Sequence, residues 1–394
     1  MVETEVIIME LSASAIRAYR LHAHHLDRPV SLREAASCGF QNSPAGAWEN
    51  AAFFRTGLDK ETLRHALAEN ELLQAWSFRG APVVFLQDDA DVFLDAMKAQ
   101  GEEEWIYVHG ITGVLAHMDM NVDELLMRLM NEMPALDHME IQGKAQLDQF
   151  LAKRMQAHMN DEQQRLWRMP SLYDPKGIQT MGEAAVSFLL RPCALCGKVV
   201  FSQRRENIPS FTSFIARTGH PLLARPSAQR ELMRRFLHAY APAAFNGFCD
   251  WLGCGRSQGR RLWKQIEPEL EAVQVLGKTR YVLKEDLPLF MQAMEPEDIR
   301  ILAAHDPYLD ARDHEILAQR EHFRLIWRTV ANPGVILQGG RIIGIWRSRQ
   351  QGKRTLLQAQ PFVKLNGDQE QQLQQRVSQW ADFQQKEVIM HIER

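Results

Sequence analysis

Apolar residues alternate along the chain between helical and strand-like spacing, in a cycle that occurs three times before residue 290. The first cycle spans residues 1–115. Apolar positions three and four residues apart predict its helices, at 12–26, 31–37 and 60–67. The apolar run that follows is interrupted at Arg79-Gly80-Ala81-Pro82, which predicts a β-hairpin over 72–86. Three helices followed by a hairpin are the arrangement of a winged helix.

The same order of elements returns over residues 116–222 and again over 223–290. The second cycle predicts helices and then strands at 121–130, 144–155, 184–190, 198–202 and 210–214. The third predicts helices and a hairpin at 228–240, 244–252, 260–270, 272–276 and 280–283. Because the three cycles share no fixed short period, they predict tandem divergent domains rather than a solenoid.

The pattern changes over residues 291–394. Strand-like runs are separated by Gly339-Gly340 and Gln351-Gly352 turns, and a helix and a last strand follow; these elements are predicted at 334–337, 341–348, 354–360, 369–383 and 387–392. This tail predicts a small antiparallel β-domain. The fold class expected for the whole chain is therefore α+β, with three tandem winged-helix domains and a C-terminal antiparallel β-domain.

Charge is distributed unevenly over the 394 residues. The net charge is −3, yet residues 200–355 carry 24 lysine or arginine residues against 16 aspartate or glutamate residues. Basic clusters of this kind are typical of a phosphate-binding surface. The side chains that we single out here are Arg256, Arg260, Arg261, Arg347 and Arg349. The alternative is a solvated face on a protein of mixed charge.

Arg79 is a separate candidate, because it lies at the break of the first predicted hairpin. An arginine at the tip of a wing can enter a minor groove or hold a phosphate. The alternative is a hairpin charge that has no partner.

Several classes of protein are not favoured by the sequence. The N-terminus is acidic where a signal peptide would be basic, and no apolar run approaches the roughly 20 residues that span a bilayer. Five cysteines are too sparse for a disulfide framework. No P-loop, dinucleotide-binding glycine pattern or nucleophile elbow is present. We expect a cytoplasmic protein that binds neither a membrane nor a nucleotide cofactor.

Two groups of residues raise the question of a metal. Cys193 and Cys196 have C-x-x-C spacing, and Cys249 with Cys254 could complete a four-thiolate zinc site, although the second pair has the wrong spacing. Buried apolar thiols are the alternative. A histidine cluster lies on the first predicted helix, but consecutive histidines point to different faces. We expect no metal and no cofactor.

Five stretches of the sequence, in this order along the chain, resemble the AlkZ/YcaQ family of DNA glycosylases. They are Trp76-Ser-Phe-Arg-Gly-Ala-Pro82, Tyr240–Gly253, His305–Asp313, Trp327–Leu337 and Gly344-Ile-Trp-Arg347. The resemblance implies three winged helices and a β-domain arranged as a C around duplex DNA. It also implies the removal of bulky N-alkylated purines, cross-linked ones included, by hydrolysis alone.

The resemblance places the active site in a short loop of the first winged-helix domain. The family motif there is glutamine, an apolar residue, then glutamine or aspartate. Gln41 matches the first position, whereas Asn42 replaces the apolar residue and Ser43 the last one. Hydrolysis through an oxocarbenium-like sugar needs a group that places a water molecule. Gln41 would hold that water and Ser43 would assist, and Asp306 is a candidate substitute carboxylate.

These observations predict a monomeric, monofunctional DNA glycosylase that acts on N7-alkylated or cross-linked purines in duplex DNA. The first alternative is a DNA-binding protein without catalysis, either a regulator or a lesion-recognition relative, because winged helices are used more often to read DNA than to cut it. The second is an acidic N-terminal half that binds a protein partner. At the Gln41 loop, the alternative is a polar turn with no catalytic role.

Overall fold

A computed structural model describes residues 9–117, 119–174, 177–205 and 207–393. It divides into two compact units. The first contains the described residues within Met1–His65, Met233–Trp251 and Trp263–Arg394, and the second those within Ala66–Leu232 and Leu252–Leu262. Four domains were predicted, with boundaries at 115, 222 and 290; those boundaries remain predictions.

Helices follow the predicted positions closely where side-chain caps mark their ends. Ser12 caps the first helix, and Ser31 and Glu34 form the predicted capping box. The α-helices of the described residues are Ala13–Ala23, Leu32–Ala35, Ala47–Thr56, Lys60–Ala68, Ala90–Phe93, His109–His117, Val122–Glu132, Lys144–Gln156, Asp161–Trp167, Met181–Leu195, Phe214–Thr218, Ala228–Tyr240, Phe245–Leu252, Arg256–Lys264, Leu287–Gln292, His314–Leu317, Phe323–Ile326 and Gly367–Gln384.

Strands are short in the first 220 residues and longer near the C-terminus. They are Phe40–Gln41, Leu72–Trp76, Pro82–Leu86, Ile141–Gln142, Val200–Phe201, Ser210–Thr212, Leu270–Val275, Lys278–Leu283, Ile299–Leu302, Gly334–Gln338, Arg341–Gln351, Arg354–Pro361 and Glu387–Ile392. Both hairpins predicted with a turn at their centre are present, at 72–86 and 270–283. Mixed helix and sheet confirms the α+β class.

The first unit contains a five-stranded sheet near the C-terminus, and its topology corrects one prediction. The strand order is Glu387–Ile392, Arg354–Pro361, Arg341–Gln351, Gly334–Gln338, Ile299–Leu302. The last strand of the chain pairs parallel to Arg354–Pro361, so the sheet is mixed rather than antiparallel. The reason is the helix Gly367–Gln384, which carries the chain back along the sheet before the last strand begins. This helix buries Leu373, Val377 and Trp380.

In the second unit, the first and second predicted hairpins belong to one sheet. The strand Leu72–Trp76 pairs with Pro82–Leu86 on one side and with Val200–Phe201 on the other, and Ser210–Thr212 and Ile141–Gln142 continue the sheet. Apolar residues from both predicted domains, Trp76, Phe201 and Phe211 among them, share one core. A shared core of this kind joins segments that the local pattern assigned to separate domains.

Candidate active site

The candidate site is built on the loop Gly39–Gly46, called here the Gln41 loop. Both glycines at its ends have positive φ, 69° at Gly39 and 87° at Gly46, a conformation that a side chain disfavours. Gly46 is also the N-cap of the helix Ala47–Thr56, which the sequence did not predict. The loop is therefore held between a two-residue strand, Phe40–Gln41, and the first turn of a helix.

Gln41 is half-buried, and its side-chain amide bridges two segments of the first unit. Nε2 donates to the Ser43 carbonyl at 3.2 Å and lies 3.4 Å from Nδ1 of His305. If the amide nitrogen is the donor in the second contact, His305 carries its ring hydrogen on Nε2. Both of these contacts are made by the amide nitrogen Nε2. The amide oxygen Oε1 is the atom of this side chain that accepts hydrogen bonds.

Asn42 explains how a polar residue occupies the position that is apolar in the family motif. Its side chain is buried, at 6% exposure, as an apolar one would be. Its Oδ1 accepts a hydrogen bond from the Gly46 amide at 2.7 Å, which satisfies the buried polar group within the loop. Ser43, by contrast, is exposed. The departure from the motif is therefore compatible with an ordered loop.

Asp306 lies next to His305 in the chain, but its carboxylate is turned into the protein. Both oxygens accept from Arg55, at 2.8 and 2.9 Å, and Oδ1 also accepts from the Tyr308 amide at 3.0 Å. The side chains of Arg55 and Asp306 are fully buried. Asp306 is thus not brought to the Gln41 amide as an open carboxylate, because its oxygens are bound to a buried guanidinium and a backbone N–H.

Arg55 connects this ion pair to the Gln41 loop. Its guanidinium carbon lies 5.8 Å from the centre of the Phe40 ring, one residue before Gln41. Burial lowers the pKa of Arg55, but the negative charge of Asp306 and the hydrogen bonds to it together outweigh burial and raise the pKa, so the guanidinium stays charged. Arg55 therefore contacts both the segment that carries Gln41 and the segment that carries His305.

His305 is the site residue that the sequence reasoning missed. It is half-buried and has φ 64°, in the left-handed region that a histidine adopts at some energetic cost. Strained backbone of this kind is concentrated at functional sites. The available signal was its position immediately before Asp306, inside a stretch that carried the family resemblance.

Asn50 links the Gln41 loop to the C-terminal helix Gly367–Gln384. Its Oδ1 accepts from Trp380 Nε1 at 2.9 Å and from Gln384 Nε2 at 2.8 Å. Its Nδ2 donates to the Gly46 carbonyl at 3.3 Å. One amide therefore fastens the end of the loop to a helix that lies more than 300 residues further along the chain.

Because this amide makes three contacts, we expect Asn50→Ala to loosen the loop. The predicted result is a loss of roughly tenfold or more in kcat for whatever reaction the loop performs, since small displacements of positioning groups are costly. Global stability should fall by only about 1–3 kcal/mol, the cost of leaving buried partners unsatisfied. Steady-state kinetics and thermal unfolding of the variant check this. Gln379→Ala, on the same C-terminal helix, is the matched control, and an equal loss of kcat there would contradict the prediction.

The candidate DNA-binding arginines differ in their surroundings. Arg347 and Arg349 are exposed on the strand Arg341–Gln351, two residues apart and so on one face of the sheet. Arg256 and Arg260 are exposed on the helix Arg256–Lys264. Arg261 is mostly buried and makes a two-pronged contact with Glu103 at 2.8 Å.

Arg79 does not project from a wing tip. The turn that carries it, Phe78–Gly80, is a short 3-10 segment in which the flanking Phe78 and Gly80 are buried. Its own backbone has φ 56°, and a Cβ built on Gly253 would lie 2.9 Å from its Cα. The side chain is half-buried, with its guanidinium carbon 5.0 Å from the centre of the Phe78 ring.

The structure does not bring the cysteines and histidines considered as metal ligands together into a single site. Among the described residues, no group of three or more histidine, cysteine or acidic side chains could hold a metal ion. Burial raises the pKa of the Cys193 and Cys196 thiols. His24 is buried between two tyrosine rings, whereas His22 is half-buried and contacts Asp27.

The helices of the described residues include none that is long and apolar enough to cross a membrane.

Comparisons with known proteins agree with this fold and identify a family. The model of the AlkZ-like DNA glycosylase family matches residues 35–383. The interstrand DNA cross-link repair glycosylase of Streptomyces sahachiroi is 24% identical over an alignment of 361 residues, which covers 86% of this chain and 88% of that protein. The solved structure of the DNA glycosylase AlkZ from the same organism has a TM-score of 0.75 at 20% identity and covers 98% of this chain and 100% of that one. The chain therefore belongs to the AlkZ-like DNA glycosylase family.

Proposed function

We propose that this protein is a monofunctional DNA glycosylase that hydrolyses the N-glycosidic bond of N7-alkylated or cross-linked purines in duplex DNA. The observation that carries the proposal is the contact of the Gln41 amide with His305, in the loop where the family motif falls. A purely structural polar turn would need neither this bridge nor the strained backbone of His305.

The chemistry begins with the leaving group. Alkylation at N7 gives the purine a positive charge, and cleavage of the glycosidic bond returns the electron pair to the base and neutralises it. The sugar becomes oxocarbenium-like, and a water molecule must attack C1′ and release one proton to the solvent. Because the leaving group is already activated, positioning of that water lowers the barrier by several kcal/mol without a strong base.

Gln41 is the residue that we assign to the water. An amide oxygen accepts a hydrogen bond and so orients the nucleophile, but it does not take the proton. His305 holds the amide from the side of Nε2. Ser43, exposed in the same loop, would donate or accept a second hydrogen bond to the water.

Asp306 takes a different role in this scheme from that of a substitute carboxylate. It is a positioning residue, because it reaches the site only through Arg55 and through the neighbouring His305. An anion that could steady the sugar cation would then come from the phosphates of the DNA itself, whose charge lies within one nucleotide of the reacting C1′.

For DNA binding we propose the three winged-helix domains predicted from the sequence, with the duplex held by exposed arginines. Arg256, Arg260, Arg347 and Arg349 are suited to phosphates by their exposure. Arg261 and Arg79 would contribute less directly, Arg261 by fixing its helix through Glu103 and Arg79 through the buried turn that carries it. The protein is proposed to act as a cytoplasmic monomer.

A base-release assay tests the proposal. Purified protein is incubated with a duplex that contains a single N7-methylguanine, and in parallel with a nitrogen-mustard cross-link, and free base and abasic sites are measured. Release above the spontaneous rate of each lesion is the expected result. Tight, salt-sensitive binding without release would favour the alternative, a lesion-recognition protein that lacks catalysis.

Binding to DNA should weaken as the salt concentration rises. The number of arginines that contact phosphates should determine how steeply the affinity falls. Replacing both Arg347 and Arg349 with alanine is expected to reduce the magnitude of the slope of log K against log salt by about 2, since each phosphate contact contributes roughly 0.9. Fluorescence polarisation with an undamaged duplex at several salt concentrations gives the slope. Arg354→Ala, an exposed arginine paired to Glu387, is the control and should change the slope by less. An unchanged slope in the double variant would exclude these two residues from the DNA interface.

A further inference from the structure

A cavity of about 740 Å³ lies directly beside the Gln41 loop. Its lining includes Pro44–Ala47, the second half of the loop, and residues of the C-terminal sheet and C-terminal helix of the same unit. This volume is within the range of roughly 300–1,000 Å³ that small-molecule pockets occupy. No step of the proposed hydrolysis makes use of it.

The cavity owes its volume to small side chains. Alanines line it from three separate segments, at Ala45, Ala47, Ala303, Ala304 and Ala331. A surface that only holds a sugar-phosphate backbone needs positively charged side chains along a groove. It does not need a recess of this size lined by alanines. Its position therefore suggests a receptor for a group that is attached to the reacting nucleotide.

Two buried indole rings, of Trp346 at 5% and Trp380 at 6% exposure, back the wall of the cavity and keep it in shape. Trp346 Nε1 donates to the Leu302 carbonyl at 3.0 Å, and Trp380 Nε1 donates to Asn50, so both polar atoms are satisfied inside the protein. The rings are 5.0 Å apart in an edge-to-face arrangement. A Cβ on Gly334 would lie 2.2 Å from Trp346, which shows how closely that ring is packed. The rings are thus locked before any ligand arrives.

The charged residues of the lining select against a cation. Lys60, Arg64, Arg328 and Arg347 line the cavity, with Glu49 as the acidic residue among them. Arg64 pairs with Glu49 at 2.8 Å, and Lys60 donates to Gln384 at 2.6 Å. The remaining positive potential favours a group that bears hydrogen-bond acceptors or a π-face, because guanidinium groups stack on aromatic rings.

We propose that this cavity binds the substituent on the alkylated purine, and that the substituent it prefers is an uncharged aromatic group. The inference rests on the proposed glycosylase function and deepens it, since it assigns a substrate preference to residues outside the hydrolytic loop. A methyl group would leave the cavity unfilled. An aromatic group linked through one carbon would cover the alanines of the lining and stack on the exposed guanidinium of Arg328.

The experiment compares N7-methylguanine, N7-benzylguanine and an N7-aminoalkylguanine in the same duplex. Each rate of release is divided by the spontaneous depurination rate of the same lesion, which removes differences in leaving-group quality. For the wild-type protein, the normalised kcat/KM should be about tenfold higher for benzyl than for methyl, the effect of a modest apolar contact. The aminoalkyl lesion should show no gain over methyl.

A space-filling variant tests the location. Ala331 is exposed and already has φ 55°, so Ala331→Trp changes the side chain without a new backbone requirement. In this variant the benzyl-to-methyl ratio should fall toward one. Ala145→Trp, at an exposed position of the helix Lys144–Gln156 in the other unit, is the matched control and should keep the wild-type ratio. A ratio retained in Ala331→Trp, or absent from the wild-type protein, would overturn the proposal.

A binding measurement separates failure of this inference from failure of the proposed function. Gln41→Ala is titrated with duplexes that carry the benzyl or the methyl lesion, and affinity is read without turnover. Tighter binding of the benzyl duplex, again by about tenfold and again lost with Ala331→Trp, supports the cavity even if the wild-type protein releases no base. Equal affinities for the two duplexes would refute the cavity assignment, whatever the wild-type protein hydrolyses.

Discussion

Replacing Gln41 with alanine is expected to lower the rate of base release by about 10²–10³-fold, the cost of removing one oriented hydrogen-bonding group from an active site. The Gln41 amide is placed by Ser43 and His305, and in the proposed mechanism its Oε1 orients the water. Single-turnover release of N7-methylguanine, with protein in excess over DNA, measures the chemical step directly. Alanine removes both the amide and its contact with His305. Because neither group is assigned to DNA binding, the effect should appear in the rate of base release and not in the affinity for DNA.

Two further variants give this prediction its controls. Ser43→Ala removes an exposed hydroxyl from the same loop and should cost much less, because a water molecule can replace a hydroxyl there. His305→Ala should give an intermediate loss, since the amide would lose its contact with the His305 ring and keep the one with the Ser43 carbonyl. If Gln41→Ala kept release within threefold of the wild-type rate while Ser43→Ala did not, the water would have to be assigned to Ser43.

The elements that could be predicted from the sequence are those whose ends are marked by local chemistry. Ser31 and Glu34 form a capping box that two residues suffice to specify. The helix Ala47–Thr56 was missed because it buries Glu49 and Arg55 among its apolar residues, which obscures the helical period. The strand Ile299–Leu302 was missed because four residues carry too little pattern.

Pairing between distant segments was not accessible in the same way. A parallel partner for the last strand is decided by where the C-terminal helix packs, and no local pattern encodes that. The site shows the same limit. Gln41 was found through the family resemblance, whereas its contact with His305 spans 264 residues and the Arg55–Asp306 pair spans 251. The sequence could name Asp306 as a carboxylate near the site, but it could not show which way that carboxylate points.

Asp306→Asn should destabilise the protein by about 3–5 kcal/mol, the usual cost of breaking a fully buried ion pair by removing one partner. The substitution leaves the Arg55 guanidinium charged and buried, with an uncharged side-chain amide in place of its counter-ion. Urea unfolding of the wild-type protein and the variant gives the change in the unfolding midpoint. Glu387→Gln, which breaks the exposed pair between Arg354 and Glu387, is the control and should cost at most about 1 kcal/mol.

The double variant Arg55→Met with Asp306→Leu tests whether the Arg55–Asp306 ion pair contributes to activity as well as to stability. Removing both charges should recover part of the lost stability, because no uncompensated buried charge remains. Base release should nevertheless stay low in the double variant, since Arg55 also contacts Phe40 and the pair holds His305 near Gln41. A carboxylate that acted on substrate directly would behave differently: Asp306→Asn would abolish release while stability stayed near that of the wild-type protein. Stability and activity that fall together in the single variant, and separate in the double one, identify Asp306 as a residue that acts by positioning its neighbours.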